Sequence, residues 1–264
     1  MMKPATTVTK VCRILAEFQS RSSLGVTDLA RRTGLLPSDV HRILAALKEF
    51  GYIDQDSESK RYRVGSSLLR LGLTAFQQNV LHANGSPILV RLSKRLGAAT
   101  HLAMFDQPAC EVFLIGQVDP PHKPLFEACL GVPAIVHAAA LGKAIMASLD
   151  QAAVLQTLER NGLKRNTDRT ITTLEALERE LQIIRQRGYA VDREEYVQGA
   201  CCIAAAVRDY TGDVIGAISA SMEADRFYSL NQSRLASQII SAAMELSSAL
   251  GYEARPLSRF QYAG

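Results

Sequence analysis

Val26-Thr27-Asp28-Leu29-Ala30-Arg31-Arg32-Thr33-Gly34-Leu35-Leu36-Pro37-Ser38-Asp39-Val40-His41-Arg42-Ile43-Leu44-Ala45-Ala46-Leu47-Lys48-Glu49-Phe50 reads as two amphipathic helices with a tight break between them. Thr27 is placed to cap the first helix, its hydroxyl accepting from free N–H groups of the first turn. Gly34 stands where a helix end calls for positive φ, and Pro37 suits the first turn of the next helix, where its missing N–H costs nothing. Val40, Ile43, Leu44, Leu47 and Phe50 follow at spacings of three and four and form one apolar stripe. The other faces carry Ser38, Asp39, His41, Arg42, Ala45 and Lys48, which are polar, basic or small. A helix pressed into a DNA groove needs such a face, since bulk there holds it off the base edges.

Any helical hairpin on a small domain also has one apolar and one polar face, so the continuation matters. Gly51-Tyr52-Ile53 opens an extended run, residues 54–60 are turn-like, and Arg61-Tyr62-Arg63-Val64 is a second extended run. A hairpin after the second helix is the wing of a winged helix. Its tip carries Lys60, Arg61 and Arg63, suited to phosphates flanking the groove. Charge agrees: residues 1–65 hold 11 basic and 7 acidic side chains, the rest of the chain 19 of each. The surplus positive charge therefore lies with the helical pair, the footprint of a polyanion-binding module beside a neutral one.

Outward from this segment, Val8–Ser20 reads as a preceding helix after a loose arm over residues 1–7. Residues 66–81 read as a helix with a broad apolar surface: Leu68, Leu69, Leu71, Leu73 and Phe76. Such a surface must be covered, by the DNA-binding domain and a second subunit or by the core of the following domain. From Pro87 the pattern gives a helix to Leu96 and strands over 99–105 and 111–118. Helices follow over 138–148, 150–160 and 173–187, then strands at Val191, 201–208 and 214–222, and a closing helix over 230–250. Strand meanders framed by helices make an α+β domain with a mostly antiparallel sheet. The expected division is residues 1–65, a winged helix-turn-helix domain; 66–84, a linker helix; and 85–264, the α+β domain.

Composition narrows the classes. At 47% apolar residues over 264 positions the chain builds real cores. It has no run of the ~20 apolar residues a bilayer span requires. Five cysteines, an odd number without C-x-x-C spacing, argue against a disulfide framework or structural zinc and fit a reducing cytoplasm.

Two separated stretches together resemble one family. The first is Leu29-Ala30-Arg31-Arg32-Thr33-Gly34-Leu35 with Val40-His41-Arg42-Ile43-Leu44, continuing through Gly51-Tyr52 and Arg61-Tyr62-Arg63-Val64-Gly65. The second is His137-Ala138-Ala139-Ala140-Leu141-Gly142-Lys143-Ala144 with Glu194-Glu195-Tyr196-Val197-Gln198-Gly199-Ala200-Cys201-Cys202-Ile203-Ala204-Ala205-Ala206-Val207. The whole chain resembles IclR-type transcriptional regulators. The resemblance implies a winged-helix DNA-binding domain, a linker helix and a GAF-like domain that binds a small effector, in a dimer or dimer of dimers. It implies operator DNA of near-palindromic sequence and an organic or aromatic acid as effector, with repression the expected sign. The family commonly reads Pro-Lys-Ser-Thr where this chain reads Leu36-Pro37-Ser38-Asp39, and its Pro before the final Val is Ala206 here.

The DNA-facing candidates are thus Thr27, Pro37, Ser38, Asp39, His41, Arg42, Lys48, Lys60, Arg61 and Arg63. For Asp39 two roles stay open: complementing the helix N-terminus, or accepting from the N4 amino group of a cytosine. Positions matching the family's effector site are Ala140, Leu141, Asp192, Cys202, Ser219 and Ser221, with Phe126, Ala134 and Ala200 as apolar walls. Ala140 and Leu141 lie near a helix N-terminus, which suits a carboxylate. Ser219 and Ser221, two apart on a strand, share a face, toward either ligand or solvent. Cys202 is a wall or plain core.

A hydrolytic alternative casts His137, Cys202 and Asp192 as base, nucleophile and orienter. The chain offers no nucleophile elbow, phosphate loop or metal-ligand spacing, so no catalytic, metal or cofactor site is expected. A winged helix can also dock proteins. The basic wing and the localised charge argue against that.

Overall fold

The computed structural model describes residues 6–19, 21–120 and 130–253. The chain divides into two units, Met1–Asn79 and Val80–Gly264. Among the described residues no helix is long and apolar enough to cross a membrane.

The first unit holds α1 (Thr7–Ala16), a 3-10 turn (Glu17–Gln19), α2 (Val26–Thr33), α3 (Pro37–Glu49), β1 (Ile53–Gln55), β2 (Tyr62–Val64) and α4 (Ser66–Gln77). Ile14, Phe18, Leu24, Leu29, Val40, Ile43, Leu44, Leu47, Ile53 and Tyr62 form its core. Each such side chain contributes about 1.5–3 kcal/mol when fully buried. The break between α2 and α3 follows from Gly34, whose φ of 68° closes α2, and from Pro37 at the start of α3. β1 and β2 pair antiparallel, with Ile53 opposite Val64.

Three expectations change in this unit. The cap of α2 is Gly25, not Thr27, which lies in the first turn. The cause is Leu24, whose backbone exchanges hydrogen bonds of 2.9 and 2.8 Å with Tyr62 and delivers the chain extended into Gly25. Phe50 caps the end of α3, where the chain reverses through Gly51 (φ 69°), and the residue is 68% exposed. The helix expected over residues 66–81 ends at Gln77, and a new one begins at Val80. α4 has no buried residue, and Leu69, Leu71 and Leu73 are more than half exposed.

The second unit holds α5 (Val80–Leu96), β3 (Ala99–Asp106), β4 (Glu111–Val118), α6 (Ala140–Ala147), α7 (Gln151–Asn161) and α8 (Leu174–Arg187). It continues with β5 (Ala190–Arg193), β6 (Ala200–Arg208), β7 (Val214–Glu223), α9 (Ala224–Ser229) and α10 (Gln232–Ala249). The sheet order is β4-β3-β7-β6-β5, antiparallel throughout, so the fold is α+β. Strand alternation divides the sheet's side chains. One face, with Leu102, Ile203, Ala205, Ile218 and Met222, packs on α5 and α10. The other, with Ala103, Phe105, Ala204 and Ala217, lies under α6 and α8.

α5 begins seven residues before Pro87, which lies inside it. Local rules start a helix at that proline, because an interior proline loses a backbone hydrogen bond. Here Leu81 before it and Ile88, Leu89 and Leu92 after it are buried in one core, and that packing carries the helix through. The short α9 before α10 is a further element that the sequence pattern does not announce.

Candidate functional site

In the first unit α3 presents Pro37, Ser38, His41, Arg42 and Lys48 to solvent, on the side away from its buried stripe. Thr27, Lys60, Arg61 and Arg63 are exposed as well. Asp39 is recessed: Oδ2 accepts from Lys10 Nζ at 2.6 Å and Oδ1 from Arg42 Nη2 at 3.2 Å. The Lys10 hydrogen bond holds its carboxyl below the usual carboxylate range. Lys48 Nζ donates to Gln55 Oε1 at 3.3 Å, and Gln55 Nε2 donates to the Lys60 carbonyl, so the helix is tied to the wing.

Arg61 departs from its expected place at the wing tip. Its guanidinium folds back to donate to Ser23 Oγ and to the Ser23 carbonyl at 3.1 and 2.9 Å, and lies 3.4 Å from Asp28 Oδ2. An arginine just before the strand whose Tyr62 pairs with Leu24 finds these acceptors on the entry to α2, so it fastens the wing to the body.

In the second unit a cavity of ≈ 280 Å³ opens between the sheet and α6. Ala134, Ala140, Leu141, Asp192, Cys202, Ser219 and Ser221 all line it. Ala200 is buried but is not a lining residue, since the strand reaches the cavity two positions later, at Cys202. Phe126 lies outside the described residues. The lining also includes His101, Leu114, Val132, Pro133, Ala139, Tyr196 and Val197, none anticipated from the sequence.

One wall is a polar row across four strands. Asp192 of β5 is opposite Cys202 of β6, Cys202 is opposite Ser221 of β7, and Ser219 is opposite His101 of β3. Cys202 Sγ lies 2.9 Å from Ser221 Oγ, and His101 Nδ1 lies 3.4 Å from Ser221 Oγ and 3.5 Å from Ser219 Oγ. Facing them, α6 starts at Ala140 with no side-chain cap, and Ala139, Ala140 and Leu141 line the cavity. Uncapped N–H groups and the helix dipole favour an anion there. Gly142 lets the segment leading into α6 pack against the helix: a Cβ on it would lie 2.1 Å from the Val136 carbonyl oxygen.

Burial sets the protonation states. It pushes Asp192 up to about 7, against backbone N–H donors from Glu195 and Tyr196 and the nearby Lys143 charge. It lowers His101 to about 4, with Asp119 pulling the other way, so the imidazole is neutral at pH 7. The Cys202 thiol is raised well above its ordinary value by burial, and next by Asp192. It therefore stays a thiol, and a nucleophilic role lacks its thiolate. His137, the other member of the hydrolytic alternative, is not a lining residue: its Nε2 donates to the Lys164 carbonyl at 3.0 Å.

The segment that brings Tyr196 and Val197 to the cavity is fastened from outside. Thr167 Oγ1 donates to the Glu194 carbonyl at 2.8 Å, Thr170 Oγ1 to the Glu195 carbonyl at 2.7 Å, and Arg169 pairs with Glu194 at 2.8 Å.

Known proteins share both units. Residues 7–57 match the family described as "IclR helix-turn-helix domain", and residues 74–248 match "Bacterial transcriptional regulator IclR C-terminal". The chain is 33% identical over 252 residues to HTH-type transcriptional regulator KdgR of Escherichia coli (strain K12), covering 95% of each chain. It is 31% identical over 233 residues to Transcriptional repressor IclR of the same organism, covering 88% of this chain and 85% of that one. In fold it is similar to an IclR homolog from Microbacterium hydrocarbonoxydans solved in complex with 4-hydroxybenzoate. That likeness has a TM-score of 0.74 at 24% identity, over 93% of this chain and 99% of the other.

Proposed function

The chain belongs to the IclR family of bacterial transcriptional regulators, and from that premise we propose a homo-oligomeric repressor that releases a near-palindromic operator when a small organic acid enters the cavity under α6. It is a DNA-binding regulator with an effector-binding C-terminal domain, not an enzyme. Its partners are operator DNA and a small-molecule effector.

α3 enters the major groove, with Ser38, His41 and Arg42 toward the bases, and Lys48, Lys60 and Arg63 contact phosphates. A two-fold dimer, or a dimer of such dimers, carries paired reading helices, and paired helices read a near-palindrome. The exposed apolar side chains of α4 support its role as a linker helix that covers itself in the oligomer. The cytoplasm, where bacterial operator DNA lies, is the proposed compartment.

One observation carries the effector reading: an uncapped helix N-terminus faces a row of carboxyl, thiol, hydroxyl and imidazole groups across a cavity whose other lining side chains, Tyr196 apart, are apolar. That arrangement holds a carboxylate at one side and an apolar body at the other. Among the described residues no lysine or arginine lines the cavity while the carboxyl of Asp192 does, so a monoanion fits better than a dianion. The complex with 4-hydroxybenzoate, an aromatic monoacid, supports the class. A thermal-shift screen of mono- and dicarboxylates, followed by mobility shifts on the upstream region of the protein's own operon, tests it. A monoacid should raise the melting temperature and release the DNA. Stabilisation by dicarboxylates alone, or release by no acid, would reject the assignment.

A further inference from the structure

In the reading helix one acid is gripped by two cations from different elements. Lys10, on α1, reaches Oδ2 of Asp39, while Arg42, one turn along α3, reaches Oδ1. Exposure sorts the three. The side chains of Lys10 and Asp39 are 27% and 21% exposed, that of Arg42 74%. The carboxylate is largely covered, and the guanidinium is exposed.

Resting on the reading of α3 as the DNA-reading helix, we propose that Asp39 is a positioning residue: anchored by Lys10, it aims the guanidinium of Arg42, and Arg42 reads a guanine in each half-site. A free arginine samples many rotamers, and an ordered one loses less freedom on binding. Asp39 engages one Nη of Arg42. The remaining donors of the fork are left for O6 and N7 of guanine, the pairing its geometry matches. The cytosine role for Asp39 fits less well. Both of its oxygens are already engaged, Oδ2 by Lys10 and Oδ1 by Arg42, and the side chain is only 21% exposed. Lys10 also offsets the repulsion between Asp39 and the phosphates, and the three side chains together carry one net positive charge toward the duplex.

The test is a selection from a library randomised across the half-site. It uses the full chain and its Arg42→Ala, Asp39→Asn, Asp39→Ser and Lys10→Met variants, with urea unfolding to confirm that each folds. Arg42→Ala should abolish a guanine preference of about 5- to 150-fold at one position. Asp39→Asn and Lys10→Met should relax that same position and leave the others unchanged. Lys10 belongs to α1 and not to α3, so a merely structural role would weaken all sequences alike rather than one base. Asp39→Ser repeats the test if the asparagine variant fails to fold. Unchanged logos in the Asp39 and Lys10 variants, or loss of a cytosine where Arg42→Ala changes a different position, would overturn the proposal. A wild-type chain that selects no sequence would overturn the reading of α3 as well, and is distinguished by the absence of any logo.

Discussion

The ammonium of Lys143 lies 2.6 and 2.7 Å from the two carboxylate oxygens of Glu195 and 2.7 Å from the Val191 carbonyl, with its side chain 1% exposed. All three N–H donors are used, and they tie α6 to β5 and to the turn that follows it. Leu141 and Asp192, two and one positions from these anchors, line the cavity. The pair therefore joins two elements that wall the cavity.

Removing one partner should be costly, because it strands a buried charge. Lys143→Met is expected to lower stability by about 3–5 kcal/mol, and adding Glu195→Leu should recover much of that loss. Urea unfolding of the two variants checks it. A double variant no more stable than Lys143→Met would show that the pair organises the fold beyond cancelling charge.

Ser219→Ala with Ser221→Ala removes two hydroxyls from the polar row, each hydrogen bond contributing about 0.5–1.5 kcal/mol. Titration of the acid found by the thermal screen should show affinity falling roughly 5- to 150-fold, while ligand-free operator binding stays near wild type. Loss of operator binding together with an unfolded circular-dichroism spectrum would mark both serines as structural instead.

Asp192 and His101 should impose opposite pH dependences on stability. Asp192 is raised from 3.8 to about 7, so its folded form holds a proton that the unfolded chain has released, and stability falls as pH rises across that window. His101 is lowered from 6.5 to about 4, so the unfolded chain holds the extra proton, and stability rises with pH from about 4 to 6.5. The two slopes oppose each other below pH 6.5. His101→Gln should uncover the falling slope and Asp192→Asn the rising one. Melting temperatures of the ligand-free variants between pH 4.5 and 7.5 decide it; matching profiles for the two would refute the opposition.

On the wing, Arg61 and Arg63 should behave differently. Arg63→Ala is expected to reduce the slope of log affinity against log salt by about 0.9 for each phosphate the arginine neutralises, with stability unchanged. Arg61→Ala should instead lower stability by releasing Ser23 and Asp28, and change the slope less. Salt-dependent mobility shifts and urea midpoints for both variants distinguish the roles, and equal reductions in slope would return Arg61 to the phosphates.

Much of the first unit is legible locally. Pro37, Gly34 and the stripe Val40, Ile43, Leu44 and Leu47 act through backbone dihedrals and helical period, which depend on near neighbours alone. The same rules fail where a distant partner intervenes. Leu24 bridges to Tyr62 and moves the start of α2, and core packing carries α5 through Pro87. Ser219 and Ser221 announce themselves by spacing, yet only the sheet turns them inward.

From the sequence by itself come the helix-turn-helix with its wing, the antiparallel α+β domain and the family. These rest on periodicity, capping residues and motifs contained in short stretches. Tertiary structure alone decides that His101 meets Ser219 and Ser221, that Asp39 is held by Lys10, and that Arg61 turns back to Asp28. Each of those contacts joins residues from 29 to 120 positions apart. Hydrogen bonds and ion pairs act over a few ångströms in space, and local sequence pattern carries no record of which distant strand or helix will supply the partner.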